Sequence, residues 1–292
     1  MHFKPFAYPI DSKAKKTQFM HTQFTNIDEL RIRFARHKGN HSETLLLVNP
    51  LPESIFCFSP MWDTLAAQVD LLAIDMPGFG GSEARDDLYS VDAMSEFMFK
   101  VTDHFEINTA HILGPDIGSP IALFMAARRP TKIKSIIISG GASTYPLKVD
   151  NTLRDIIYAP DLEGFKQIPV KDIIDNSLSE LKNYVLPEEI RADYISSYQD
   201  GRLFKGMEIL RAYVNDIPVL DKLIDGIKTP VQIIWGEKDP IVPVENAQIL
   251  HKRLPKNKLH ILADAGHYTW EEHSKEFASI IKDWLGGGYL LN

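Results

Sequence analysis

Three side chains in this sequence could cooperate in one nucleophilic reaction: Asp116, Asp239 and His267. Asp116 is the centre of Gly114-Pro115-Asp116-Ile117-Gly118, a G-x-D-x-G pattern between an apolar stretch and a run of helical character. Small residues flanking a central side chain permit a strained strand-to-helix turn that holds it out above a sheet. The N–H groups that open the following helix would then face any anion formed there. A carboxylate needs no base to strip a proton before it attacks, so it can displace a leaving group at carbon and become an ester itself. Asp239, in Trp235-Gly236-Glu237-Lys238-Asp239-Pro240, could accept a hydrogen bond from an imidazole and fix its tautomer. His267, in Ala265-Gly266-His267-Tyr268-Thr269-Trp270, could take a proton from water. Each has a plainer reading: Asp116 as a helix N-cap, Asp239 as a turn residue, His267 as a satisfied structural group. Glu237 is a second candidate for orienting the imidazole, and Ser119 is a second candidate nucleophile. His104, His111, His251, His260 and His273 lack comparable partners in the pattern.

Whether these residues meet depends on the elements that carry them. Residues 30–37 alternate apolar and polar positions, as a half-buried strand does. Residues 44–48 and the run ending at Asp75 are short apolar runs without alternation, the mark of strands covered on both faces, and AHILG (110–114) and KIKSIIISG (132–140) read as the next strands. A helical stripe of Val91, Met94, Phe97, Met98 and Val101 separates two of them. From 142 to 228 the chain turns helical and more charged, and strand character returns at 229–236 and 258–264 before a last helix over 271–285. The glycine-rich tail after it is expected to fray. The pattern predicts an α/β fold, a mostly parallel central sheet flanked by helices, with an inserted helical segment. The domains are then a core from 1 to 141, a helical insert from 142 to 228, and the rest of the core from 229 to 292. An open parallel sheet puts its site at the carboxyl ends of its strands, which is where Asp116, Asp239 and His267 all fall.

Composition bounds the partners. The 292 residues carry 32 Lys+Arg against 39 Asp+Glu, a net charge of −7 that argues against nucleic acid. No apolar run approaches the roughly 20 residues needed to cross a bilayer, and the first residues lack the apolar core of a secretion signal. Cys57 is the single cysteine, so no intrachain disulfide or cysteine-rich zinc site can form, and there is no His-Glu-x-x-His. A cytoplasmic protein needing no metal or organic cofactor is expected, acting on a small apolar electrophile.

In DMPGFGGS (75–82), GPDIGSP (114–120), WGEKDPIVP (235–243) and AGHYTWEE (265–272) the sequence resembles the α/β-hydrolase superfamily. Within it the resemblance is to the aspartate-nucleophile branch of epoxide hydrolases and haloalkane or haloacid dehalogenases. It implies a triad of Asp116, Asp239 and His267, a cap over the catalytic face, and an oxyanion hole from the backbone N–H groups of Leu51 and Ile117. A histidine-activated water would hydrolyse the alkyl-enzyme ester. Haloalkane dehalogenases typically follow the nucleophile with tryptophan, whereas this chain has Ile117, and Trp62, Trp235, Trp270 and Trp284 all lie outside the insert. Epoxide hydrolases instead use cap tyrosines to protonate the ring oxygen. Tyr213 matches best, with Tyr158 and Tyr145 as further candidates. Many relatives have His-Gly where this chain has Asn49-Pro50, so the shape of the hole is in question. The expectation is an epoxide hydrolase acting on a small or medium apolar epoxide. A dehalogenase or other hydrolase is the alternative, and a catalytically altered or binding protein of the same fold is the third reading.

Overall fold

The computed structural model describes residues 20–291 and arranges their strands in one eight-stranded sheet. β1 (Thr22–Ile27) and β2 (Leu30–His37) form an antiparallel hairpin at one edge, and β2 also pairs antiparallel with β4 (Asp70–Ile74). The remaining pairings are all parallel: β3 (Thr44–Val48) lies between β4 and β5 (Ala110–Pro115), followed by β6 (Ile133–Ser139), β7 (Val231–Gly236) and β8 (Asn257–Leu262). Every residue of β5 and β7 is buried, as strands covered on both faces require. This is the α/β-hydrolase fold.

Helices cover both faces. α1 (Trp62–Ala66) is a single turn before β4, and α2 (Val91–His104) buries the predicted stripe. The Ser90 hydroxyl starts α2 by accepting from the Ala93 N–H. α3 (Gly118–Arg128) leaves β5 and is buried from Gly118 to Ala126. Between β6 and β7 lie five helices: α4 (Asn151–Ile157), α5 (Val170–Leu178), α6 (Glu188–Ser197), α7 (Arg202–Arg211) and α8 (Tyr213–Asp221). α9 (Glu245–Arg253) joins β7 to β8, and α10 (Thr269–Glu272) and α11 (Ser274–Asp283) follow. The single last helix expected over 271–285 is thus divided at His273, which adopts φ −117° and ψ 32°. The tail does not fray within the described residues. The Trp284 indole donates to the Ser135 hydroxyl at 2.8 Å, and the Tyr289 ring packs on His111 at 4.9 Å.

The chain runs from β3 outward to β4 and then back across to β5, so the order reverses beside β3. That reversal opens a crevice at the carboxyl ends of β3 and β5. The helical segment is tied down over this end by polar contacts. Arg33 of β2 bridges Asp75, after β4, to Asp193 of α6, whose carboxylate also accepts from the Ser54 hydroxyl at 2.6 Å. Arg202 of α7 donates to the Gly80 and Ser82 carbonyls at 3.0 and 2.8 Å. Asp75, the first residue of DMPGFGGS, therefore organises a loop: its carboxylate accepts from Ile55 N and Gly81 N at 2.8 and 2.9 Å. Gly80 must remain glycine here, because a Cβ would lie 2.2 Å from the Asp75 carboxyl carbon.

Candidate active site

Asp116 occupies a sharp turn between β5 and α3, with φ +49°, a left-handed conformation unusual for a side-chain-bearing residue. The turn closes because Gly114 and Gly118 touch; a Cβ on Gly114 would lie 2.3 Å from the Gly118 carbonyl oxygen. Asp116 is not the N-cap of α3, since Ile117 takes that position without a side-chain cap. The Asp116 carboxylate points into the crevice instead. Leu51 N–H donates to its Oδ2 at 3.0 Å, and Ile117 N–H also bonds to the carboxylate. These are the two backbone donors implied for an oxyanion hole. The Asn49 side chain shapes the loop that presents Leu51, donating to the Pro50 carbonyl at 3.0 Å and accepting from Met76 N at 2.8 Å.

His267 and Asp239 meet the same carboxylate from the other side. His267 Nδ1 lies 2.9 Å from Asp239 Oδ2, and His267 Nε2 lies 3.9 Å from Asp116 Oδ1. Asp239 Oδ1 is fixed by the Ile241 and Val242 N–H groups, both at 2.9 Å, so this carboxylate is a built acceptor. Glu237, the alternative orienter, is exposed. Burial pushes the Asp116 carboxyl above the usual carboxylate range, against the opposing pull of the His267 charge and the two N–H donors. Burial favours neutral His267, but the Asp239 charge and hydrogen bond outweigh it, and Asp116 adds to them, so the imidazole lies above its ordinary 6.5. Ser119 is buried, with its hydroxyl donating to the Gly114 carbonyl at 2.8 Å and accepting from Ser139 N at 3.2 Å. That bonding removes it as a nucleophile. His111 does have partners, Ser135 at 2.7 Å and Glu43 at 3.3 Å, but it lies near the amino end of β5, away from the crevice.

Over Asp116 and His267 lies a cavity of about 330 Å³. Its walls are mainly apolar, with Leu153, Ile156, Phe165, Leu203, Met207 and Leu210 supplied by the helical segment. The expected cap acids are not on this wall. Tyr145 and Tyr158 are 55% and 58% exposed, and neither lines the cavity. Both flank α4, Tyr145 in the loop before it and Tyr158 at its end, where the chain surfaces. Tyr213 is buried and feels the Asp116 charge, yet it too is absent from the cavity lining. The tyrosine that does line it is Tyr268, next to the catalytic-candidate histidine, and its hydroxyl lies 2.5 Å from that of Ser177 on α5. Its signal in the sequence was only adjacency to His267. Among the described residues no group of three His, Cys, Asp or Glu side chains could hold a metal ion, and no helix is long and apolar enough to cross a membrane.

Residues 43–274 match a family model described as alpha/beta hydrolase fold. An uncharacterized hydrolase, YugF, of Bacillus subtilis (strain 168) is 25% identical over 267 residues, covering 89% of this chain and 96% of YugF. A 2-hydroxy-6-oxononadienedioate/2-hydroxy-6-oxononatrienedioate hydrolase of Escherichia coli (strain K12) is 25% identical over 290 residues, covering 94% and 99%. Among solved structures, the epoxide hydrolase VrEH1 from Vigna radiata superposes with a TM-score of 0.77 at 15% identity, over 93% of this chain and 99% of that one.

Proposed function

Because the chain belongs to the α/β-hydrolase-fold family, we propose that its site is that of an aspartate-nucleophile hydrolase, with a small neutral epoxide as its best substrate. The observation that carries this reading is the division of labour at one carboxylate: Leu51 N–H holds Asp116 Oδ2, while Oδ1 faces His267 Nε2 and the cavity. Oδ1 attacks an epoxide carbon, the ring C–O bond breaks, and the ring oxygen takes a proton from the Tyr268–Ser177 hydroxyl pair. His267 Nε2 then takes a proton from water, whose oxygen adds to the Asp116 carboxyl carbon. Negative charge collects on Oδ2, where the Leu51 donor already lies, with the Ile117 N–H beside the same carboxylate. Collapse expels the alcohol with Oδ1, protonated by His267, and the new Asp116 carboxylic acid returns its proton to Tyr268. Epoxide and water become a diol, and the enzyme is restored. The helical segment acts as the cap that excludes bulk water.

Three observations favour an epoxide over a halide. The indole N–H groups of Trp235, Trp270 and Trp284 already donate to Val242 O, Glu53 and Ser135, and are not free to bind a departing halide. A hydroxyl pair in the cavity supplies the acid that only ring opening needs. The cavity is also lined by Asp150 and Glu180, which disfavour a carboxylated substrate such as a haloacid.

The mechanism has an isotopic signature. In a single turnover in ¹⁸O-water the label is expected in Asp116 and not in the diol, read by peptide mass spectrometry. Label in the product after one turnover would mean direct attack by water on the substrate. Tyr268→Phe is expected to slow epoxide alkylation of Asp116 about 100-fold while leaving alkylation by an activated alkyl halide unchanged, since a halide leaves without a proton. Equal loss with both electrophiles would assign Tyr268 to packing alone.

A further inference from the structure

Glu53 and Glu271 are fully buried beside the site, 0% and 1% exposed, without lining its cavity. Each carboxyl has one oxygen with an outside donor. Trp270 Nε1–H donates to Glu53 Oε1 at 3.1 Å, and the Tyr194 hydroxyl donates to Glu271 Oε1 at 3.2 Å. The Oε2 atom of each has no hydrogen-bond partner, and the two carboxyl groups lie close enough for the charge of one to act on the other. Ionised carboxylates only accept, so two of them cannot bond together. A proton must lie between them.

We propose that Glu53 and Glu271 are a positioning pair that shares one proton and, while singly charged, clamps the oxyanion loop to the histidine segment. Glu53 stands two residues after Leu51, whose N–H holds Asp116, and its own carbonyl accepts from the Tyr198 hydroxyl of the helical segment at 2.8 Å. Glu271 stands on α10, four residues after His267. Between them the Trp270 ring meets His267 edge to face at 5.7 Å while its N–H holds Glu53. The clamp thus touches both halves of the ester chemistry without touching substrate.

The surroundings keep the shared proton in place. Burial and then the Glu271 charge push Glu53 well above the carboxylate range, and Asp116 adds to this. Burial raises Glu271 to about 7, opposed by its bonds to Glu53 and Tyr194 and reinforced by Glu272. Glu272 is itself satisfied, accepting from Gly266 N at 2.6 Å and Lys182 N at 3.1 Å. Cys57, Tyr194 and Tyr268 also face the pair, and all three are held neutral by burial. A carboxyl raised on folding contributes stability that is complete below its unfolded value of about 4.5 and disappears as pH rises through its folded value near 7. Above that, Glu271 is ionised while Glu53, raised higher still, keeps the one shared proton that holds the two carboxyls together beside Trp270.

The test needs no substrate. From about pH 5 to pH 8 the wild-type melting temperature is expected to fall by roughly 5 °C more than that of Glu271→Gln, which cannot ionise, whereas Glu53→Gln, whose amide stands in for the protonated partner, keeps the wild-type slope. Should Glu271→Gln fail to fold, His267→Gln decides, because the imidazole beside Trp270 can no longer titrate. Of its four indole N–H resonances, that of Trp270, which donates to Glu53, is expected to move with a midpoint near neutrality. A Trp270 resonance that stays fixed across that range, or a melting profile with the same slope in wild type and Glu271→Gln, overturns the proposal.

Discussion

A His267→Gln variant exposed to a small epoxide is expected to gain the mass of one epoxide per chain and to keep it. The reason lies in how the two half-reactions divide the site. Attack by Asp116 Oδ1 requires an ionised carboxylate, which the Leu51 N–H still favours without His267. It also requires a proton for the ring oxygen, which His267 does not supply. Hydrolysis of the ester requires a base for water, and His267 Nε2, 3.9 Å from Asp116 Oδ1, is the group placed to be that base. A glutamine amide cannot take the proton, so the second step should slow by about 10³-fold while the first continues. Intact-mass measurement shows the adduct, and digestion should place it on Asp116. Asp116→Asn in the same background should show none. An adduct on another residue, or rapid turnover by the glutamine variant, would remove Asp116 and His267 from the proposed roles. An adduct from alkyl halides but not from epoxides would keep the nucleophile and move the substrate class to halides.

The same division explains which parts of the site were legible in the sequence. Asp116, Asp239 and His267 each sit where an apolar strand ends, so the parallel sheet brings them together whatever the details of packing. Their geometry depends on backbone features written locally: Gly114 and Gly118 around Asp116, and the Ile241 and Val242 amides that fix Asp239. The Asn49-Pro50 departure proved compatible with a donor at Leu51, because Asn49 uses its amide to shape the loop from within.

The tyrosine that lines the cavity was not legible, and the physical reason is plain. Which helical-segment side chain reaches the cavity depends on how five short helices pack, and periodicity fixes only which face of each is buried. Tyr194 and Tyr198 are buried on such faces but act as struts, their hydroxyls on Glu271 and the Glu53 carbonyl. Tyr145 and Tyr158 lie just outside a helix, where no stripe constrains them. The glutamate pair is hidden in the sequence for a different reason. Glu53 and Glu271 each look like a solvated loop or helix-start residue, and only the fold buries them against each other. The anchored tail is similar: Trp284 and Tyr289 find Ser135 and His111 at the far end of the sheet, a contact that composition cannot reveal.

The second large effect is expected at Asp239→Asn, where the lesion is a tautomer and not a missing group. Asp239 Oδ2 accepts from His267 Nδ1 at 2.9 Å, which leaves Nε2 unprotonated and able to receive a proton from water. Its Oδ1 accepts from the Ile241 and Val242 amides, so an asparagine must keep its oxygen there and turn its NH₂ toward the ring. The imidazole then presents Nδ1 as acceptor and carries its proton on Nε2, the wrong side for a base. Hydrolysis of the Asp116 ester should fall by roughly 10³- to 10⁴-fold with the fold and the first half-reaction kept. The imidazole also loses the negative charge that lifted it above 6.5, so the residual hydrolysis should begin at lower pH than in wild type, where it rises as His267 loses its proton. Stopped-flow alkylation and steady-state pH profiles separate these effects. Unchanged hydrolysis in Asp239→Asn, or equal loss in both half-reactions, would mean that Asp239 only braces the loop and that His267 finds its orientation elsewhere.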